Sequence, residues 1–500
     1  MPFPSSAWPR LVALALSLSP IAAQAQEAEF VGVAPHTLLP PSPVAGNRFG
    51  STVAAAGDSV VVTNQSASGA VAYLFRRDAT GPGAWGLSQT LVPPVPMGTS
   101  RSSQLSVAMR DDWLALGAPD EAGSQGAAYV YRRNAGGTYD FERRFAAAAA
   151  GEQFGFATTM NDRFFLAGAP NATVGGFAQR GAVYVYEKDT PAPGAWGFVQ
   201  KLTSSHVPQW GMLGNSVALS DDLAIGGAPG GSVPNSAVVF KWNATTRRFV
   251  ETAAIDQPAV CPPPDCFFAR TTGTYKLDLF AGGQGTSPGG AVFHYVGAPS
   301  GSFALERTLT GTVAGGALGT SVAVAPALVI ASAPGEATNA GAAYLYYQHF
   351  PTRGTGWGQV ARLTADTPRA RAFFGGSVGL DQRVAVVGAP NDDRARPTGG
   401  VAFVFDLLFA YTPSFVSTPP LVAKVLSRYS YAAEARDNDA GDHLAISATT
   451  RPTWLTVTDH GDGTALVSGT PAWPGSYPVV LEVRDTTARR QTQAFTIVVR

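Results

Sequence analysis

One sequence unit recurs along this chain and constrains its fold before any single residue is considered. The clearest copies are FGFATTMNDRFFLAGAP followed by GAVYVY (154–186), LGNSVALSDDLAIGGAP followed by SAVVF (213–240) and FGGSVGLDQRVAVVGAP followed by GGVAFVF (374–405). The residue opening the third apolar run of each copy is Gly69, Gly126, Gly181, Ser236, Gly290, Gly341 or Gly400, a period of 51 to 59 residues. A period of this length marks supersecondary units that bury their faces only by stacking on their neighbours.

Each unit holds four short apolar runs. In the third unit they are Phe156–Met160, Phe164–Ala167, Ala182–Tyr186 and Phe198–Leu202. Four strands per unit and seven units predict an all-β chain built as a seven-bladed β-propeller over residues 26–410. The 56 glycines and 38 prolines suit many strands joined by tight turns. Val183 and Val185 should face one neighbouring blade, and Tyr184 and Tyr186 the other. Two copies are degraded: Val62-Thr63-Asn64 and Ala281-Gly282-Gly283 stand where GAP is expected.

Units one to six end in a fourth strand: Trp85–Leu91, Tyr139–Phe145, Trp196–Leu202, Arg248–Ala254, Phe303–Leu309 and Trp357–Leu363. Unit seven stops at Phe405 without one. A matching orphan, Phe30–Leu39, precedes the first unit, so the N-terminal strand should complete the seventh blade and remove an exposed sheet edge.

The units resemble FG-GAP repeats, the blades of the integrin α-subunit head and of exported bacterial proteins. The resemblance covers roughly 30–405 and implies an extracellular propeller. Integrin-type blades carry a D-x-D/N-x-D-G calcium loop between FG and GAP. Here the corresponding links are short, as in Ala56-Gly57-Asp58, Asn161-Asp162-Arg163, Ser220-Asp221-Asp222 and Leu380-Asp381-Gln382. They supply too few oxygens for a calcium shell of six to eight ligands, so no cofactor is expected in the ring.

Residues 1–25 read as a secretory signal peptide. Arg10 precedes the apolar run Leu11–Leu18, and Ala23-Gln24-Ala25 fits small-x-small cleavage near Ala25. Export to the periplasm, cell surface or medium is the implied fate, with no integral membrane segment. In that compartment Cys261 and Cys266, the two cysteines of CPPPDC, should form a local disulfide. Formal net charge is zero and no basic tract occurs, which excludes nucleic acid as a partner. A monomer is expected.

Residues 411–500 lose the repeat phase and read as about seven short strands, an Ig-like β-sandwich. The clearest are Tyr429–Ala433, Leu444–Ala448, Leu455–Thr458, Thr464–Ser468, Tyr477–Arg484 and Gln493–Val499, with Trp454 as a core anchor. This segment resembles the putative-Ig and dystroglycan-type cadherin-like modules of exported proteins. That resemblance implies a calcium site at Asp437, Asp439, Asp442 and Asp485, weighed against a plain solvated acidic turn.

No catalytic constellation emerges. The six histidines, His36, His206, His294, His349, His443 and His460, show no metal-binding spacing. Gly375-Gly376-Ser377-Val378-Gly379 matches G-x-S-x-G formally, but Ser377 is the repeat serine, equivalent to Ser106, Ser216 and Ser321. Trp85, Trp196 and Trp357 recur at the fourth strand and read as aromatic covers of the blade edge rather than sugar-stacking residues. The expected function is a non-catalytic binding or adhesion protein for a protein or glycan ligand, acting through loops such as Pro170–Arg180 and Asn391–Thr398. A polysaccharide lyase or hydrolase, and a passive surface spacer, are the competing readings.

Overall fold

The computed structural model describes residues 28–31, 34–65, 69–95, 105–110, 112–230, 235–261, 266–298, 300–349, 356–437, 443–486 and 488–500. The leader read at 1–25 lies outside them. The chain divides into two compact units, one spanning Phe30–His349 and Gly356–Leu408, the other carrying Phe409–Arg500.

The first unit contains seven four-stranded antiparallel sheets among the described residues. We number these blades 1 to 7 by their innermost strands: Val53–Ala56, Ser106–Arg110, Thr158–Met160, Ser216–Leu219, Thr272–Tyr275, Val322–Ala325 and Ser377–Leu380. Each innermost strand contacts the next, and the last contacts the first, so the sheets close into a ring. In blade 7 the outermost strand is His36–Leu38, paired antiparallel with Val401–Asp406. This ring-closing strand is shorter than the expected Phe30–Leu39. Pro35 and Pro40 bracket it, and proline gives no N–H to a ladder.

Alternation places both faces of a blade in apolar contact. In blade 3, Val183 and Val185 pack with Val217, Val238 and Phe240 of blade 4. Tyr184 and Tyr186 pack with Ala128, Val130 and Phe145 of blade 2. The four strands of blade 3 are Thr158–Met160, Phe164–Ala169, Ala182–Lys188 and Trp196–Leu202. The first starts two residues later than Phe156. The N–H groups of Gly155 and Phe156 both bond to Gly168 O, at 2.9 and 3.2 Å, which turns the chain there.

The fourth strand of blades 1 to 6 carries the same register shift, opposite Leu74/Phe75, after Phe141, and opposite Val185/Tyr186, Val239/Phe240, His294/Tyr295 and Leu345/Tyr346. A bulge repeated on every such outer strand bends the edge and blocks pairing with another chain.

The second unit is a sandwich of two four-stranded sheets. One holds Ser414–Phe415, Tyr429–Arg436, Thr464–Gly469 and Leu455–Asp459; the other holds Val422–Ala423, Arg490–Val499, Gly475–Arg484 and Ala445–Thr450. Tyr429, Tyr431, Ala433 and Ala435 alternate inward to meet Ile446, Leu481 and Val483. Trp454 packs against the edge of this core rather than inside it. It sits in the turn before Leu455–Asp459 and is only half-buried, edge-on to Tyr477 at 5.5 Å, while Leu455 takes the core position.

Candidate functional site

Strand direction sends the FG segment, the GAP segment or its replacement, and the start of the third strand of the described blades to one end of the ring, and the short hairpin links to the other. At the glycine end the motif works as a seam between blades. In seam 3→4, a Cβ on Gly168 would lie 2.0 Å from Gly214 O, and Gly181 bridges to Leu213. The ring-closing seam 7→1 repeats this: Gly388 sits under Gly50 O, and Gly400 bridges to Phe49. Only glycine permits backbones this close.

The residues that sequence alone offers for chemistry are spent on these seams. Ser106 Oγ donates to Gly155 O, Ser216 Oγ to Ala269 O and Ser377 Oγ to Gly50 O, each at 2.9 Å. Ser377 is therefore a seam residue. Three buried glutamates are engaged in similar clusters. Glu121 accepts from the Tyr129 hydroxyl and from Arg144 Nε at 2.8 Å. Glu152 accepts from Tyr184 at 2.5 Å and Lys201 at 3.0 Å. Glu336 accepts from Tyr344 at 2.5 Å and Arg362 at 2.7 Å. Burial, then the neighbouring carboxylate, pushes the Tyr129 hydroxyl up to about 12. Losing one partner of such a cluster would strand a buried charge.

His36 pairs with Asp406, His206 with Asp256 and His294 with Asp278, on three separate blades. Trp196 and Trp357 are buried, the first edge-on to Trp113 at 5.3 Å and the second edge-on to Phe280 at 5.1 Å. Trp85 is half-buried beneath the Arg77 guanidinium. Each packs against the preceding blade, Trp196 on blade 2, Trp357 on blade 5 and Trp85 on the cluster shared with blade 7, so they fill the space between blades rather than cover an outer edge.

The two candidate loops both lie at the glycine end. In 391–398, Asp392 is buried against Arg394, which also reaches Asp366 at 2.8 Å. In 170–180, Val174 and Phe177 pair with each other, and Phe177 is 46% exposed. Beside it lies Trp210, on the connection into blade 4 and 50% exposed; its N–H donates to Ala178 O at 3.1 Å. Sequence reasoning missed Trp210, which stands outside the FG and GAP elements that define the repeat.

At the opposite end, an open depression is lined by Glu187, Pro191, Phe198, Arg247 and Arg248. Burial alone would raise the Glu187 carboxyl. Arg163 and Arg247, at 2.6 and 2.7 Å, outweigh it and hold the carboxyl below the usual range. The cluster is a clamp between blades 3 and 4.

Cys261 and Cys266 form the expected disulfide, with Cα atoms 5.2 Å apart. Of the four aspartates read as calcium ligands, Asp439 and Asp442 lie outside the described residues. Asp437 follows the strand Tyr429–Arg436, and Asp485 is buried with Oδ1 accepting the Arg489 N–H at 2.8 Å. Among the described residues no group of three or more His, Cys, Asp or Glu is placed to hold a metal ion, and no helix is long and apolar enough to cross a membrane.

Residues 357–405 match the family described as FG-GAP repeat. The chain carries an FG-GAP repeat. The matched segment starts at the outer strand of blade 6 and ends at the third strand of blade 7, so the FG-GAP sequence unit is offset by one strand from the structural blade. That offset is why the last blade borrows its outer strand from the N-terminus. Residues 412–500 match the Putative Ig domain family. No curated protein matches the chain in sequence. Among solved structures, the chain is similar to a putative 6-phosphogluconolactonase of Bacteroides uniformis, at 12% identity and TM-score 0.44, over 64% of this chain and 86% of that one. It is also similar to the extracellular domain of a putative hybrid two component system of B. thetaiotaomicron, at 10% identity and TM-score 0.36, over 94% of this chain and 60% of that one.

Proposed function

We propose that this is an exported, non-catalytic binding protein whose FG-GAP propeller presents loops at the glycine end of the ring to a ligand. The supporting observation is how its polar groups are used. The repeat serines and three buried glutamates are tied into seams and clusters, whereas the loops at that end carry exposed aromatic rings. The apolar segment Leu11–Leu18, with its cleavage pattern, supports export.

The test is the purified mature chain presented to glycan and cell-surface protein arrays, with sugar release from polysaccharides measured in parallel. Saturable binding without release supports the reading. Release of sugars would replace it with an enzyme. Calcium at the acidic turn of the sandwich is a separate proposal, resting on Asp437, Asp439, Asp442 and Asp485; an unchanged melting temperature between calcium and chelator ends it.

A further inference from the structure

Every described connection into a blade places the residue three before the FG aromatic, or its leucine equivalent, in the left-handed backbone region. Three copies use glycine there: Gly46 at φ 75°, Gly151 at 81° and Gly315 at 72°. Blade 4 uses Trp210 at φ 66°, and blade 7 uses Arg371 at 64°. An L-residue is penalised in this region, a bulky one most. A fold that is content with glycine in three connections gains nothing local from tryptophan in a fourth. Left-handed non-glycine residues recur in these connections, as at Arg48, Gln153, Met212 and Phe373, so what sets Trp210 apart is a large ring that the turn does not need and that is 50% exposed.

The surroundings hold Trp210 firmly. Its N–H donates to Ala178 O at 3.1 Å, Met212 N–H to Gln179 O at 2.9 Å and Leu213 N–H to Arg180 O at 3.0 Å. Arg180 lies 4.5 Å from the Phe177 ring and donates through Nε to Val207 O at 2.6 Å, joining the two loops again. Two rings, one from each loop, thus face solvent on a cross-bonded backbone. Their neighbours along the two loops, Thr173, Gly175, Gly176, His206 and Gln209, are exposed and small or polar. The Arg180 guanidinium is engaged with the carbonyls of Val207 and Ser205, and His206 Nε2 lies 2.6 Å from Asp256 Oδ1.

We propose that Trp210 and Phe177 form a stacking platform for a neutral glycan. A pyranose offers an apolar C–H face to a ring and hydroxyls to a polar rim, and a rigid aromatic binds at little entropic cost. A protein partner would call for a broader apolar centre than two rings in a polar field. This site rests on the binding reading above and names its ligand class.

The experiment compares the mature chain with Trp210→Gly and Phe177→Ala on immobilised cellulose, xylan, mannan and mixed-linkage glucan, with alginate as the anionic comparator. Wild type should bind at least one neutral polymer. Trp210→Gly should weaken that binding about tenfold or more while melting no lower than wild type, because glycine suits the backbone. Phe177→Ala should show a smaller loss. Retained binding by Trp210→Gly, or a lower melting temperature for it, overturns the site and leaves the binding reading intact. So does wild type that binds only alginate or a cell-surface protein. Wild type that binds neither polysaccharide nor protein overturns both.

Discussion

The two faces of blade 4 are held by different means. Toward blade 3 the seam is built from backbone: Gly214 at φ 90°, the Gly181–Leu213 bridge and Gly168 beneath Gly214 O. Toward blade 5 the FG glycine is replaced by Ala269 at φ 61°, and the third strand opens on Ser236. That seam carries other fastenings. Ser216 Oγ reaches Ala269 O, Gln257 Nε2 donates to Cys261 O at 2.9 Å, and the disulfide stiffens the entering loop. Both seams keep one close glycine, Gly168 under Gly214 O and Gly227 under Ala269 O, and the serine bond also occurs where the FG glycine is kept, at Gly155 and Gly50. What is particular to seam 4→5 is Ala269 and Ser236 in place of glycines, accompanied by the Gln257 bond and the disulfide.

Copying the alanine across should break the first seam. A Cβ on Gly214 would lie 2.4 Å from Ala182 O, and φ 90° lies beyond the left-handed well that Ala269 occupies. Gly214→Ala should cost about 3–5 kcal/mol, read as a fall in the denaturant midpoint. Ala269→Gly should stay within about 1 kcal/mol of wild type, since relieved strain and lost methyl burial offset. Equal costs at the two positions would mean that the seams do not differ.

Much of this was legible in the sequence, and the reasons are physical. Fourth strands such as Trp85–Leu91 and Trp196–Leu202 fall where alternation and flanking turns place them. The orphan N-terminal strand follows from counting strands per unit. The burial of Trp196 and Trp357 follows from their recurrence. The glutamate clusters were not legible, because Glu121 meets Arg144 across 23 residues and only through strand pairing. Trp210 was not legible because its exposure and backbone strain depend on a connection whose sequence does not repeat.

The disulfide is the next test. Replacing Cys261 and Cys266 by serine should cost about 2 kcal/mol, the chain-entropy value for so short a loop. If the bridge compensates for the missing glycine, the loss should shrink when Ala269→Gly is also present, a coupling read from a double-mutant cycle. Strict additivity would make the bridge a loop staple unrelated to the seam.

The smallest effect tests the serine. In seam 4→5, Ser216 Oγ donates to Ala269 O at 2.9 Å and meets Thr272 Oγ1 at 3.1 Å, all three residues being buried. In seam 3→4 the equivalent position is Ala157, which has no hydroxyl to offer Gly214 O. Ser216→Ala should therefore cost about 1 kcal/mol, since a buried carbonyl loses its donor. Ala157→Ser should return a similar or smaller amount only if the glycine-built seam has room for the same bond. A loss in both variants would show that seam 3→4 leaves no space for a hydroxyl, unlike seams 2→3 and 7→1, where Ser106 and Ser377 bond to the carbonyls of Gly155 and Gly50 beside equally close glycines.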